Sequence, residues 1–517
     1  MSKILIFAIL SVFTLFGCVD ALELEPENSL TFGSASTEKE LESSIREAQR
    51  LIRLEMMMYY NNTKSNAVRG AYADVMNDNM ELLRNMDLSI IIGGDWQFHY
   101  DVIACANRTY YLAGNSNIPE ERKNYYKGQA CFFKAFAYYE LIKEWGDCVL
   151  IKDDIEYKPI AKSPWTQVAD YAILMAKEAV ALLPEWDKIT DAKGSAPKYR
   201  SAACRGAANT ILAYLCAWKA GGKYFALPEE RDYDEVELWK MAEQACSEVI
   251  KSPVYELAGN PEEVCASVLI GNSKEGIFET VYQDMWSEIG DFWRSLKFGL
   301  WQEYEFYPLS PIAAANSIKY QTFRIKNETV KRMFPDGDLR RDAYFYEYET
   351  MADPDSIPVT GGFAYPYKWR KPVLGVEDWD KGELYNINQN KIWYRLADVY
   401  LLRAECRARL GGEYVAGAIS DLNKIRERAD AKFYEASEYG GDLRYTIFKE
   451  REKELLMEGH RYYDIVRNGY ARRELEEGFR KLTDQDFVEG AFFTAIEGAA
   501  FNRNPLMRQN TFWLRRM

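Results

Sequence analysis

Three stretches of the chain place apolar or aromatic side chains at every third or fourth position, which predicts amphipathic helices. Each stretch mixes alanine with aromatic residues, a composition that suits close packing of one helix on another. A further stretch, from Thr37 to about Tyr60, is rich in helix-forming residues. The three patterned sets are Ala130, Phe133, Ala137 and Leu141; Ala203, Ala207, Ile211, Tyr214, Leu215 and Trp218; and Trp393, Leu396, Ala397, Tyr400, Leu401, Ala404 and Ala408.

The predicted helices come in pairs. A helical segment at 165–186 precedes the helix that ends near Trp218, and another follows at 237–252. Segments 393–410 and 415–428 are joined by two glycines, where a helix can end and the chain can turn. The pattern is similar to tetratricopeptide-like repeats, without their strict consensus. We therefore predict a mainly α fold, built as a tetratricopeptide-like scaffold of helical pairs.

Residues 271–390 have a different composition. This region is punctuated by Gly and Pro, is rich in Trp and Tyr, and contains short β-like pieces such as GIFETVY and GGFAYPYKW. We predict a loop-rich, partly β insert laid over the helical frame.

The first residues predict export and lipidation. Lys3 is followed by an apolar run from Ile4 to Phe16, then Gly17 and Cys18. This is the pattern of a secretory signal over 1–17, and the cysteine at the cleavage point makes it a lipoprotein signal. The run is shorter than the ~20 apolar residues of a spanning helix. We expect an acylated Cys18, an acidic tether over 18–36 and a lipid anchor; the alternative is a plain secreted protein.

Composition narrows the function classes. The chain has 517 residues, 48% of them hydrophobic, which is enough for a large core, and a formal net charge of −14, which disfavours nucleic acid as a partner. With only His99 and His460, it is a poor candidate for a zinc hydrolase or a Ser-His-Asp enzyme. Glycosidase chemistry on paired carboxylates needs no histidine and stays open.

Cysteine spacing points to packing rather than to metal binding. Eight cysteines follow Cys18, without CxxC pairs, and we expect most of them to be small buried hydrophobic residues. A disulfide among them stays open. No cofactor is predicted; EF-hand spacing is absent, although the loop Asp and Asn residues leave calcium open.

Seven sequence blocks occur in one order along the chain. Together they resemble the SusD/RagB family of outer-membrane lipoproteins of Bacteroidetes-type bacteria. The resemblance implies an N-terminal SusD-like helical region over 37–270 and a C-terminal RagB/SusD region over 271–517. It also implies a partner, a SusC-like TonB-dependent outer-membrane transporter, and capture of oligosaccharides or other nutrients at the cell surface. The blocks are LELEP, DWQFHYDVIACAN, GQACFFKAFAYYELIKEWGD, KYRSAACRGAANTILAYLCAW, WYRLADVYLLRAECRARLGG with AISDLNKIRERA, FKEREKELLMEGHRYYDIVRNG, and NPLMRQNTFW.

Two of these blocks can be interpreted independently of the family. In FKEREKELLMEGHRYYDIVRNG a glutamate recurs every fourth residue, at Glu450, Glu454 and Glu458, with arginines interspersed. We interpret the row as an ion-paired face or an internal Glu–Arg network rather than as a glycosidase acid/base pair. In NPLMRQNTFW the Asn and Gln side chains predict a tail that docks by bonding to backbone groups.

Aromatic residues in the loop-rich region are the candidate ligand contacts. A flat ring can cover the apolar CH face of a sugar while polar neighbours bind its hydroxyls. The alternative is that these rings pack beneath long loops. A rim near 61–94, with Asn77, Asp78 and Asn79, is a further candidate, whereas Trp96 is expected in the core. The candidate contacts are Trp286, Trp293, Trp301 and Tyr304, with Tyr307 nearby, and Tyr365, Tyr367 and Trp369.

These observations favour a lipid-anchored nutrient-binding protein without catalytic activity. One alternative is a surface-anchored helical glycoside hydrolase, which needs two carboxylates about 5–5.5 Å or about 6.5–9.5 Å apart on the aromatic face. The other alternative is a protein-interaction scaffold without a small ligand.

Overall fold

The computed structural model describes residues 37–58, 96–153, 158–283, 325–374, 384–475, 477–502 and 504–516. Helices dominate it. They are α1 Glu38–Met58, α2 Gln97–Asn115, α3 Glu120–Glu144, α4 Trp165–Leu182, α5 Arg205–Gly221, α6 Glu235–Lys251, α7 Pro261–Ala266, α8 Asn327–Met333, α9 Arg340–Tyr344, α10 Tyr348–Ala352, α11 Ile357–Thr360, α12 Leu396–Leu410, α13 Val415–Arg428, α14 Leu443–Glu454, α15 Arg461–Asn468, α16 Ala471–Glu474, α17 Glu477–Arg480, α18 Asp484–Val488, α19 Ala499–Asn502 and α20 Thr511–Leu514.

The long helices pack in chain order. Helices α1 to α6 each pack against the next, α6 packs against α12, and α12 packs against α13 and α14. This succession confirms the predicted mainly α, helical-pair frame. Helix α3 is buried on nearly every side, with Phe132, Phe133 and Phe136 at most 1% exposed. The rings of Phe132 and Phe136 meet those of Phe278 and Trp393, with centroids 4.8 and 5.0 Å apart.

Strands are few and short among the described residues, and they form four antiparallel pairs. In the predicted GIFETVY piece the first five residues form a strand, and GGFAYPYKW contains a two-residue strand. The pairs are β1 Cys148–Val149 with β2 Lys162–Ser163, β3 Gly276–Thr280 with β8 Lys391–Arg395, β4 Ile325–Lys326 with β5 Phe363–Ala364, and β6 Pro372–Leu374 with β7 Leu384–Ile387.

The predicted start of the helix at Trp393 is wrong. Trp393 lies in strand β8, and α12 begins at Leu396. The KIWYR segment is rich in residues that favour strands, and it pairs with β3 through Gly276 and Arg395. The end of the helix is confirmed, because Gly411 follows Leu410 with φ 69°, a conformation that glycine adopts without strain.

The C-terminal tail docks on the N-terminal half, as predicted. Asn504 donates to the Ile160 carbonyl at 2.8 Å, and Asn510 donates to the Trp145 carbonyl at 3.1 Å. The Gln509 amide exchanges two hydrogen bonds with the backbone of Ile496. The Asn and Gln side chains therefore replace regular secondary structure as the means of holding this segment.

Two smaller predictions, on Trp96 and on the cysteines, are confirmed. Trp96 is in the core. The eight cysteines after Cys18, all within the described ranges, are free thiols; seven are buried and Cys105 is half-buried. None of the described helices combines the length and apolarity needed to cross a membrane. The division between 37–270 and 271–517 stays a prediction.

Candidate ligand-binding surface

Much of the predicted ligand site lies outside the described residues. This holds for Trp286, Trp293, Trp301, Tyr304 and Tyr307, for the rim at 61–94, and for the lipidation site at Cys18. For these residues the sequence-based expectations stay predictions. The second aromatic cluster lies within the described chain.

The second aromatic cluster, made of Tyr365, Tyr367 and Trp369, follows strand β5 in an extended segment. The Tyr346 amide donates to the Tyr365 carbonyl at 2.9 Å, and the Tyr367 amide donates to the Tyr344 carbonyl at 2.7 Å. Tyr365 is 3% exposed and Trp369 is 8% exposed, so a ligand would reach only a small part of either ring. Tyr367 is half-buried and reaches the surface. Of the three predicted contacts, Tyr367 has the most accessible ring.

Tyr367 belongs to a group that we call the tyrosine surface: Tyr346, Tyr367, Arg370 and Glu262. The two tyrosine rings meet edge to face with centroids 5.5 Å apart, and Tyr346 is also half-buried. The Arg370 guanidinium lies 4.0 Å from the centroid of Tyr367 and forms an ion pair with Glu262. Its hydrogen bonds hold the pKa of Glu262 below its usual range. The surface thus joins flat rings to fixed hydrogen-bonding groups.

Sequence reasoning found Tyr367 but missed Tyr346, Arg370 and Glu262. Arg370 follows the predicted cluster directly, yet a single arginine carries no motif. Glu262 lies on α7, far away in sequence, and no spacing rule connects it with residue 370. Only the packing of the chain brings the four residues together.

Lys368 anchors this segment from beneath. Its buried ammonium donates to the carbonyls of Glu454 and Leu456, at 3.2 and 2.9 Å, and to Glu458 Oε1 at 2.7 Å. Burial lowers the pKa of Lys368, and Glu458 opposes that effect. Since Lys368 adjoins Tyr367, the tyrosine surface is tied to the predicted glutamate row.

The glutamate row is an internal Glu–Arg network, as predicted. Glu450 accepts from Arg340 at 2.6 Å and from Arg426 at 2.8 Å. Glu458 accepts two bonds of 2.8 Å from Arg395. One detail differs from a simple helical row, because α14 ends at Glu454 and Glu458 lies in the following turn. Further pairs of the same block join Arg451 to Asp398 and Asp464, Arg461 to Glu452 and Glu474, and Arg467 to Glu405.

The electrostatics of this network do not suit acid catalysis. Burial alone raises the pKa of Glu450, but Arg340, Lys453 and Arg426 outweigh it and hold that pKa at about 2. The same balance, dominated by Arg395 and Lys368, lowers the pKa of Glu458. A glycosidase acid needs a raised pKa so that it carries a proton near neutral pH. Glu450 and Glu458 are thus ionised, and each accepts at least two hydrogen bonds from arginines.

In the described part of the chain, neither His460 nor a cluster of metal-ligating side chains adds to this chemistry. Burial, with Arg451 and Lys391 nearby, lowers the pKa of His460, so its imidazole is neutral near pH 7. Within the described ranges, no group of three or more His, Cys, Asp or Glu side chains is arranged to hold a metal ion.

Lys391 gives a pH-dependent prediction. It is 8% exposed, and burial lowers its pKa to about 8, below the value of about 10.4 in an unfolded chain. Below pH 8 the Lys391 ammonium is charged in the folded and in the unfolded protein, and burying this charge destabilises the folded protein. Above pH 10.4 the side chain is neutral in both, so this destabilisation is absent. Relative to Lys391→Met, wild type should therefore gain on the order of 3 kcal/mol of unfolding free energy as pH rises from 8 to 10.4.

Urea unfolding of wild type and of Lys391→Met between pH 7 and 10.4 measures this difference in unfolding free energy. Lys251→Met is the control, because the Lys251 side chain is 69% exposed, and its curve should run parallel to that of wild type. Parallel curves for Lys391→Met and wild type would contradict the prediction.

Two family models match the chain. The first, described as the SusD family, matches residues 301–513. The second, described as starch-binding and associating with the outer membrane, matches residues 20–204. The two matches cover a C-terminal and an N-terminal part of the chain. The C-terminal match includes the glutamate row and most of the tyrosine surface.

Individual relatives agree with the family models. The chain is 24% identical to SusD-like protein P25 of Formosa agariphila, over 89% of each chain. A crystal structure of a SusD homologue from Bacteroides thetaiotaomicron shares the fold with a TM-score of 0.72 and 19% identity, over 93% of this chain and all of that one. Surface glycan-binding protein A from the same organism, solved with laminarihexaose, matches with a TM-score of 0.66 and 18% identity, over 92% of this chain and all of that one.

Proposed function

The chain belongs to the SusD/RagB family, and we propose that it captures oligosaccharides at the outer surface of the cell. The description of the N-terminal family model, which names starch binding and the outer membrane, supports this proposal. So does the laminarihexaose in the structure of the similar surface glycan-binding protein. We extend the proposal to an anchor at acylated Cys18 and to delivery of the ligand to a SusC-like TonB-dependent transporter.

The tyrosine surface is the observation that carries the proposed binding role. Tyr346 and Tyr367 offer partly exposed rings to the CH faces of a sugar. Arg370 and Glu262 supply a donor and an acceptor for hydroxyls at the edge of the rings. Lys368 fixes the backbone on which Tyr367 sits, so the contact is largely formed before a ligand arrives. We assign Trp286, Trp293, Trp301 and Tyr304 to the same role by composition.

Capture without cleavage fits the described carboxylates better than hydrolysis does. The hydrolase alternative needs a protonated acid beside the aromatic surface. Two carboxylates lie at that surface: Glu262 has a lowered pKa and is paired with Arg370, and Glu347 is hydrogen-bonded to Tyr346. The Glu450–Glu458 row is buried and ionised. We therefore propose binding followed by release, with no bond broken in the ligand.

Tyr367→Ala is expected to weaken oligosaccharide binding about tenfold, or about 1.4 kcal/mol, because it removes a ring that stacks on the sugar. Isothermal titration with a panel of neutral hexasaccharides that includes laminarihexaose and maltohexaose measures this. Tyr367→Phe keeps the ring and should stay within about threefold of wild type. Tyr111→Ala is the surface control, since Tyr111 is 41% exposed on α2 and outside the tyrosine surface.

Three results would count against the proposal. Unchanged affinity in Tyr367→Ala would remove the tyrosine surface from the site. Shortened oligosaccharides after incubation would favour the hydrolase. Failure of the wild type to bind any member of the panel would argue against oligosaccharide capture itself.

A further inference from the structure

A concave site with its own set of lining residues opens beside the loop that leads to α7. A groove of about 480 Å³ opens where the end of α6, the loop leading to α7, the start of α12 and the end of α13 meet. None of the four residues of the tyrosine surface lines it. A volume of this size is in the range of small-molecule sites and far exceeds the space of a single water. Nothing in the proposed capture at Tyr367 makes use of this groove.

One part of the lining is apolar and includes an accessible ring. Tyr400, in the second turn of α12, is half-buried and packs with Leu257 against the cluster formed by α12 and α13. Ile250 and Leu396 extend the apolar lining on either side. A ring of this kind, backed by aliphatic side chains, is a platform for the CH face of a pyranose.

Another part of the lining is polar and balanced in charge. Lys424 and Glu427, one turn apart on α13, form a 3.2 Å ion pair, with side chains 53% and 61% exposed. Pairs as exposed as this are weak, so both groups can exchange partners with a ligand. Glu256 and Arg428 complete two carboxylates and two cations in the lining. A simple anion or cation would meet like charge, whereas a neutral polyhydroxyl ligand uses donors and acceptors together.

Ion pairs and a hydrogen bond make the groove rigid. Arg428 is 8% exposed and is ion-paired with Glu275 at 2.8 Å and with Glu454. The Ala258 amide, on the facing loop, donates to the same Glu275 at 2.8 Å, so one carboxylate fixes both walls.

We infer that the groove between Tyr400 and the Lys424–Glu427 pair is a second glycan subsite, which holds one or two neutral sugar units. The inference rests on the proposed function and adds to it a second point of attachment. Two weak contacts on one polysaccharide retain it better than either contact alone, because the second contact forms within an existing complex.

The test counts sites on the full-length protein. Isothermal titration with the same panel of neutral hexasaccharides should give two sites per chain for wild type. Tyr400→Ala should weaken one of them at least tenfold and leave the other. Since Tyr400 contributes to packing, the double variant Lys424→Ala/Glu427→Ala provides a check that leaves the core intact, and it should weaken the same site. Tyr111→Ala should retain both.

The outcomes separate this inference from the proposed function. Loss of one site in Tyr367→Ala and of the other in the two groove variants supports both. A single site that disappears in Tyr367→Ala but persists unchanged in the groove variants overturns the groove alone. Binding that is lost in the groove variants and unchanged in Tyr367→Ala overturns the tyrosine surface and leaves the groove. No binding by wild type to any member of the panel overturns both.

Discussion

Replacing Arg395 by methionine is expected to lower the free energy of unfolding by about 3–5 kcal/mol. Arg395 is 1% exposed, and its guanidinium bonds to Glu275 at 2.8 Å, to Glu454 at 2.7 Å and to Glu458 at 2.8 Å. Methionine has a similar shape but no charge, so these carboxylates would lose a shared partner while still buried. The cost arises mainly from leaving the buried carboxylates with fewer cationic partners away from water.

Urea unfolding followed by circular dichroism measures this loss, with Arg341→Met as the matched control. Arg341 also pairs with two carboxylates, but its partners Asp336 and Glu349 are 87% and 71% exposed. Pairs of that kind contribute little, so the control should cost less than about 1 kcal/mol. Similar losses in the two variants would show that burial of the network does not set its contribution.

Gly221→Ala is expected to destabilise the protein by about 1–3 kcal/mol through overpacking. Gly221 is the last residue of α5, where the helix approaches α15. A methyl group placed on it would lie 2.5 Å from the backbone oxygen of Arg467 and 2.6 Å from the Cγ of the same residue. A backbone atom cannot rotate aside, so one of the two helices has to shift.

The matched control is Gly114→Ala, near the end of α2. Its nearest neighbour would be the flexible end of Lys127 at 3.8 Å, an ordinary contact. Alanine favours helix over glycine, so this variant should be neutral or more stable by up to about 1 kcal/mol. Thermal melts of the two variants should therefore shift in opposite directions or differ clearly in size. Equal melting temperatures would indicate that α5 and α15 are less closely packed than the structure shows.

The sequence predicted the helical frame because long amphipathic helices carry their signal locally. The 3.6-residue pattern around Phe133 or Trp218 needs no knowledge of the rest of the chain. The start of α12 was misplaced because Trp393 continues the spacing of Leu396 and Tyr400 by chance. What makes Trp393 part of a strand is pairing with Gly276–Thr280, more than a hundred residues earlier, and no local window contains that partner.

The candidate site was predictable only in part, for the same reason. Residue type alone indicated that the glutamate row is an ion network, because arginines accompany it in the block. Composition also identified the segment around Tyr367. It could not distinguish Tyr367 from Tyr365, since burial of one ring and exposure of the other depend on how 344–346 pairs with the segment.

The docked tail has a consequence for the order in which the protein folds. Asn510 accepts from Lys162 at 2.7 Å and donates to the Trp145 carbonyl, and the fully buried Trp513 donates to Phe493. The tail and the N-terminal half thus meet across sequence separations of 348 and 365 residues. Loops of that length lose chain entropy before the contact forms, so we expect docking of the tail to be a late and slow step in folding.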